Sequence, residues 1–369
     1  INMAFVLVDE KLADLNERLV GNPHVAAIEV PLPQIEDRVR FVEFTIGARN
    51  VEDFSDFGKP ELAKLTAGIS LTDVNVLIQS TIEGGRRLDE EVFRSLKKRL
   101  IERQCQGLLE FIEPKWSLEM VIGHEAAKAR LREDAALLKR GALDSLPMGY
   151  LLCGPVGTGK SFLAQCTTGE IGIPCVMLKN FRSKYVGETE GNLERVLSVL
   201  RAMGPVVVII DEADAALGDR SQDGDSGTSS RVFAMIAAQM GDTRYRGRIL
   251  WMLLTCRPDL LPIDIKRQGR AEVHIPLFYP SDEDEIRDLF VVLAKKLGAT
   301  LAPEDVPPVP QRGQLSGADI EGMVGRAWRR SLLSGATRIN RESLEEVVAQ
   351  FMPSTAGLEK ELQETAAIL

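Results

Sequence analysis

The sequence predicts an α/β protein, and three observations carry that reading. Strand-like apolar runs alternate with helical stretches from about Met148 to Ile275, the pattern of a parallel sheet covered by helices. One run, residues 206–210, is five consecutive apolar residues, the mark of a central strand buried on both faces. After Pro280 strands cease and only helical periodicity remains, with Ile320, Met323, Val324 and Ala327 sharing one face.

Taken in order, residues 4–8 read as a short strand, and Val30, Pro31, Leu32 and Pro33 end another before a helical stretch. Residues 61–113 place apolar side chains at helical spacing, broken at Gly68, Gly84-Gly85 and Asp89, as in a small helical bundle. Five strands follow, at 150–153, 175–178, 206–210, 249–254 and 272–275. The Pro-rich piece 302–310 is a connection within the last helical part, and 358–369 reads as the beginning of a further helix.

A chain of 369 residues has room for two or three compact units, at about 100–200 residues each. With 45 Lys and Arg against 54 Asp and Glu the formal charge is −9, which disfavours coating nucleic acid or an anionic membrane. No apolar run reaches the roughly 18–20 residues of a spanning helix, and no membrane segment or signal layout is expected. The five cysteines (105, 153, 166, 175 and 256) form no C-x-x-C pair, so neither a disulfide framework nor a zinc site is implied and the cytoplasm is the expected location. His24, His124 and His274 are expected at the surface or at strand edges.

Two short stretches recur in order. IEVPL around Pro31 resembles VHIPL around Pro276, 245 residues later, and SLTDV around Asp73 resembles SGADI around Asp319, 246 residues later. Such constant spacing implies a duplication. The second copy has a full unit upstream of it and the first has only 27 residues, so the chain, which starts at Ile1, is expected to begin partway through a first module.

The chemistry concentrates in the second copy. Gly154, Pro155, Val156, Gly157, Thr158, Gly159, Lys160 and Ser161 fit G-x-x-x-x-G-K-[ST] between a strand and a helix, where glycines let backbone N–H groups curl around phosphate oxygens and the helix N-terminus adds a favourable dipole. Lys160 would neutralise β and γ phosphate oxygens and Ser161 would bind Mg²⁺. At the end of run 206–210, Asp211 is suited to hold Mg²⁺ through water and Glu212 to orient and deprotonate the attacking water.

With further segments, the chain resembles the AAA family of ATPases over about residues 114–352. Ser183 to Glu190 (SKYVGETE) is similar to the family's first pore loop; Thr255, Cys256, Arg257, Pro258 and Asp259, then Arg267, Gln268, Gly269 and Arg270, resemble its second region of homology. Val121-Ile122-Gly123 resembles the segment that closes over the base, and Ser316-Gly317-Ala318-Asp319 the lid segment that touches adenine. The resemblance implies an AAA core with a phosphate loop, a five-stranded parallel sheet and a C-terminal helical lid, preceded by the mostly helical remnant of a first AAA-like module. Its divisions would be 1–56 (end of a truncated core), 57–112 (its lid), 113–278 (ATPase subdomain) and 279–369 (small lid).

The resemblance further implies ATP and Mg²⁺ as cofactors, Phe162, Ile122, Gly123, Gly317 and Ala318 around the nucleotide, and Arg267 and Arg270 acting in trans in a homo-oligomeric ring, in this family usually a hexamer. Lys184, Tyr185 and Val186 would grip an extended protein substrate, whose identity and adaptor the sequence does not give. One position departs from the family pattern: Cys256 stands where an Asn positions the water, and a thiol is a weaker hydrogen-bonding group. Three functions are compared on these residues: a ring-forming ATPase that remodels proteins, an ATP-gated scaffold with little turnover, and, least favoured by the charge and by Tyr-Val in the pore loop, a nucleic-acid motor.

Overall fold

The computed structural model describes residues 5–8, 15–20, 22–28, 30, 33–85, 87–179, 188–217, 228–309, 313–352 and 358–368. Strands β1 (Leu109–Ile112), β2 (Gly149–Cys153), β3 (Cys175–Leu178), β4 (Val206–Ile210), β5 (Ile249–Thr255) and β6 (Val273–Pro276) form one sheet in the order β1-β3-β4-β5-β2-β6. Five of these are the strands the sequence predicts. The sheet has six rather than five, because Leu109–Ile112 adds an edge strand where a helical reading ran on to residue 113. Only four residues long, it comes four residues after a 15-residue amphipathic helix whose period masks its alternation. Residues 5–8, expected in a strand, form none and are exposed.

The chain divides into two compact units. The first comprises 1–111, 176–206 and 220–249. Its helical part is built by Ile35–Ile46, Lys59–Leu65, Leu71–Gly84 and Glu90–Gln104, which bury Val42, Leu62, Val74, Leu77 and Ile101. The predicted breaks fall at the ends of these helices: Gly68 lies between Leu65 and Leu71, Gly84 closes one helix with Gly85 as its cap, and Asp89 caps the next. Gly68 has φ +86°, and a Cβ there would lie 2.5 Å from Met203 Cγ, so the turn needs both the backbone freedom and the missing side chain. Arg38 is buried; its Nε donates to Ala63 O at 2.9 Å and its Nη1 to Pro33 O, so the guanidinium ties the first helix to the second.

The second unit comprises 112–175, 207–219 and 250–369. Strand β2 lies between β5 and β6 and is parallel to both, with Leu151 opposite Leu253 and His274. Every residue of β2 and β5 is buried, as a strand covered on both faces requires. Glu272 fixes the approach to β6: its carboxylate accepts the N–H groups of Met148 at 3.0 Å and Gly269 at 2.7 Å. Beyond β6, helices Glu283–Lys296, Gly317–Leu333 and Arg341–Ala349 enclose a core containing Phe290, Leu344 and the predicted face Ile320, Met323, Val324 and Ala327, each 0% exposed. Among the described residues no helix is long and apolar enough to cross a membrane.

Candidate functional site

The phosphate loop takes its shape from its two neighbours in the chain. Gly154 follows directly on the C-terminal end of strand β2, and helix Lys160–Ile171 begins straight after Gly159. Gly154 has φ +142°, and a Cβ there would sit 2.0 Å from Leu277 O, so backbone packs directly on backbone. Gly157 has φ +83° and abuts Ser316, whose Cβ would be 2.7 Å from an added Cβ. Its carbonyl accepts the Gly317 N–H at 2.9 Å, which joins the loop to the lid.

Lys160 is buried and its ammonium donates to Gly154 O at 2.8 Å and Pro155 O at 2.7 Å. The cation is thus held inside the loop's curve, with a donor set that phosphate oxygens can replace. Ser161 Oγ donates to Asp211 Oδ2 at 2.9 Å. A hydroxyl and a carboxylate oxygen that close, beside a phosphate cradle, fit Mg²⁺, which takes few protein ligands and completes its shell with phosphates and water. Asp211 Oδ1 accepts the N–H of Glu212 at 2.9 Å, and Glu212 is exposed at φ +48°, a left-handed conformation uncommon outside glycine.

A cavity of about 450 Å³ opens beside the loop. Gly157, Thr158, Gly159, Lys160, Ser161 and Phe162 form one wall, Ile122 and Gly123 another, and Gly317 and Ala318 come from the lid. The structure thus brings these ten predicted residues together. Gly154, Pro155 and Val156 belong to the loop but do not line the cavity. Lys184, Tyr185 and Val186 lie outside the described residues.

Sequence reasoning missed several members of this site. His124, expected at the surface or a strand edge, lines the cavity and starts helix Glu125–Lys139 at φ +54°. Burial and then the nearby Lys128 charge hold its pKa below the ordinary histidine value, so the ring is neutral at pH 7. Lys128, itself buried, donates to Val121 O at 2.8 Å and so anchors the segment carrying Ile122 and Gly123. Phe278, Leu289, Val292 and Leu293 supply apolar wall, and Lys296 spans Glu321 at 3.0 Å and the Phe162 ring at 5.5 Å. Nothing in a linear motif marks these positions: Leu289, Val292, Leu293 and Lys296 come from the helix after β6, and His124 and Lys128 from the helix ahead of β2.

At the end of β5, Thr255 is 1% exposed; its hydroxyl donates to Asp214 Oδ1 at 2.6 Å and accepts the Arg257 N–H at 2.9 Å. Asp214 is therefore a structural partner of Thr255. Cys256 is a half-buried free thiol. Arg267 and Arg270 both converge on Asp264: Arg267 Nε is 3.1 Å from its Oδ1, and Arg270 Nη1 donates to its backbone carbonyl at 2.9 Å. Neither arginine lines the cavity.

A phosphate loop after a buried parallel strand, acids closing a second buried strand and a helical lid over the adjoining cavity define a nucleotide-binding protein of the P-loop class. Residues 150–279 match the family model of the ATPase family associated with various cellular activities (AAA), and residues 36–106 match the second helical domain of AAA+ chaperones. The chain therefore carries an AAA ATPase domain and, ahead of it, an AAA+ chaperone second helical domain. Similar proteins include Protein mac-1 of Caenorhabditis elegans, 29% identical over 245 residues, covering 64% of this chain and 29% of that protein. The Cell division cycle protein 48 homolog of Archaeoglobus fulgidus is 27% identical over 375 residues, covering 89% of this chain and 50% of that one. The ATP-dependent zinc metalloprotease FtsH 3 of Sphaerobacter thermophilus is 30% identical over 245 residues, covering 64% and 49%. The chain spans half or less of the length of each of these relatives.

Proposed function

We propose that this chain is the ATP-hydrolysing part of a ring-forming AAA ATPase that remodels or unfolds protein substrates by threading them through a central pore. The observation that carries the hydrolytic reading is the juxtaposition of Ser161 and Asp211 at 2.9 Å beside the phosphate loop, with Glu212 next in the chain. In this reading the N–H groups of the loop and Lys160 hold the phosphates, and Ser161 and Asp211 hold Mg²⁺, which when bound supplies charge neutralisation at the transferred phosphoryl group. Glu212 accepts the proton of the attacking water, and Arg267 and Arg270 stabilise charge on the γ-phosphate of a neighbouring protomer in a homo-oligomer, a hexamer by family habit.

Protein rather than nucleic acid is the proposed substrate, supported by the net charge of −9 and by the resemblance of residues 183–190 to a pore loop presenting Lys184, Tyr185 and Val186. Five free cysteines without a metal-like spacing support a reducing, cytoplasmic setting. The duplicated Ser-x-x-Asp segments support a tandem protein. Both are helix caps: Ser70 Oγ lies 2.8 Å from Asp73 Oδ2, and Ser316 Oγ 2.8 Å from Asp319 Oδ2.

The deciding experiment compares ATP turnover of the wild type with that of Glu212→Gln in the presence of Mg²⁺. Loss of about 10²–10⁴-fold with nucleotide binding retained is expected, because that is the usual worth of a general base. Equal rates would remove the catalytic assignment. A second reading, an ATP-gated scaffold with little turnover, is favoured by one observation: the Thr255 hydroxyl is committed to Asp214 and is not free to replace the missing carboxamide at Cys256.

A further inference from the structure

The helix Leu358–Ile368 carries a buried glutamine. Gln363 is 6% exposed, and its Oε1 accepts the backbone N–H of Val156, inside the phosphate loop, at 3.1 Å. A buried carboxamide is costly unless its polar atoms are used, so this side chain is placed for the bond it makes. The other backbone group of Val156 is fixed as well: its carbonyl accepts the Tyr279 hydroxyl at 2.7 Å. Tyr279 is in turn covered by the same helix, since Lys360 Nζ lies 4.8 Å over its ring while donating to Gly313 O at 2.7 Å. One residue of the loop is therefore gripped at both its donor and its acceptor, and helix Leu358–Ile368 is behind both grips.

This grip has a consequence for the loop's chemistry. A phosphate cradle works because its N–H groups are already aimed when the anion arrives. With its N–H spent on Gln363, Val156 offers no donor to a phosphate and instead sets where the curve toward Gly157 begins. The cavity lining agrees, for it starts at Gly157 and omits Val156. We propose that Gln363 is a positioning residue of the nucleotide site, holding the Val156 peptide so that the donors from Gly157 onward face the phosphates. Helix Leu358–Ile368 is then part of the nucleotide-binding machinery. The inference rests on the nucleotide-binding reading above and deepens it.

The test uses the full chain with Gln363→Met, similar in shape but without the carboxamide, and Gln363→Glu, which keeps an oxygen acceptor. Hydrogen exchange is read over residues 154–160 and 358–368 without nucleotide, and affinity is read with a fluorescent ATP analogue. Gln363→Met is expected to speed exchange at the Val156 amide by about tenfold, since that N–H loses its protein partner, while exchange over 358–368 stays slow. Affinity for the analogue is expected to fall by a similar factor, and Gln363→Glu is expected to hold exchange at the wild-type rate. Unchanged exchange at 154–160 would overturn the proposal. So would faster exchange over 358–368, which would mean that the residue merely holds its own helix, or faster loop exchange with affinity unmoved. Failure of the wild type to bind the analogue would instead remove the nucleotide-binding reading, and the exchange comparison alone would then decide whether Gln363 holds the loop.

Discussion

Glu212 pays for its place in backbone strain: at φ +48° a side chain with a Cβ crowds its own carbonyl, at a cost of roughly 1–2 kcal/mol. Strain of this kind is retained where surrounding structure fixes it, and here Asp211 Oδ1 takes the Glu212 N–H. Glu212→Gly is therefore expected to raise the thermal unfolding midpoint slightly while abolishing turnover, a combination read by calorimetry beside an ATPase assay. Gly157→Ala is expected to do the reverse to folding. Its methyl group would meet Ser316 Cβ at 2.7 Å in a positive-φ position, so the loop-to-lid junction must shift, and both stability and nucleotide affinity should fall. At Cys256, replacement by Asn supplies the stronger hydrogen-bonding group the thiol lacks. A several-fold rise in turnover is the expected outcome if the scaffold reading holds, and no change if the site is already competent. The residues at this scale were legible because the phosphate loop is a local motif. Lys128 and Gln363 were not, because each acts on a backbone atom of another element, and His124 was not, because only packing brings it to the cavity.

Among the elements, the buried strands announced themselves through uninterrupted apolar runs, and the helix breaks through glycine and Asp89. Strand β1 was hidden because four residues give too little alternation to override the helix before them. The Ser-x-x-Asp repeat was legible as sequence and turns out to be a pair of N-caps, each serine accepting the N–H of its aspartate. Ser70→Ala and Ser316→Ala should each cost about 1 kcal/mol of stability, measured by denaturant unfolding. Only the second should also weaken nucleotide binding, since Ser316 lies against Gly157. In the first helical bundle, Lys97 donates to Leu65 O, and burial together with the Arg38 charge brings its pKa down to about 8. The unfolded chain has the ordinary lysine value of about 10.4 and so binds more protons between these limits. Stability of this bundle is accordingly expected to rise as pH increases from about 8 toward 10, and Lys97→Met should remove that rise.

For the whole molecule, the decisive question is whether a site is completed by its neighbour. Arg267 and Arg270 are not in the cavity lining of their own chain and share Asp264 instead. The Arg267–Asp264 pair is more than half exposed on both sides, and exposed pairs of this kind are worth only about 0–1 kcal/mol, so Arg267 can leave it at little cost for a phosphate. Complementation tests this directly. Glu212→Gln protomers keep their arginines but lack the base, whereas a double Arg267→Ala, Arg270→Ala variant keeps the base and lacks the arginines. Each alone is expected to be inactive. Mixed under assembling conditions, an arginine-deficient protomer seated against a Glu212→Gln neighbour regains a complete site, so turnover should appear and peak at intermediate ratios. If the arginines serve their own chain, no ratio of the two variants recovers activity, and both the trans assignment and the need for a ring fall together.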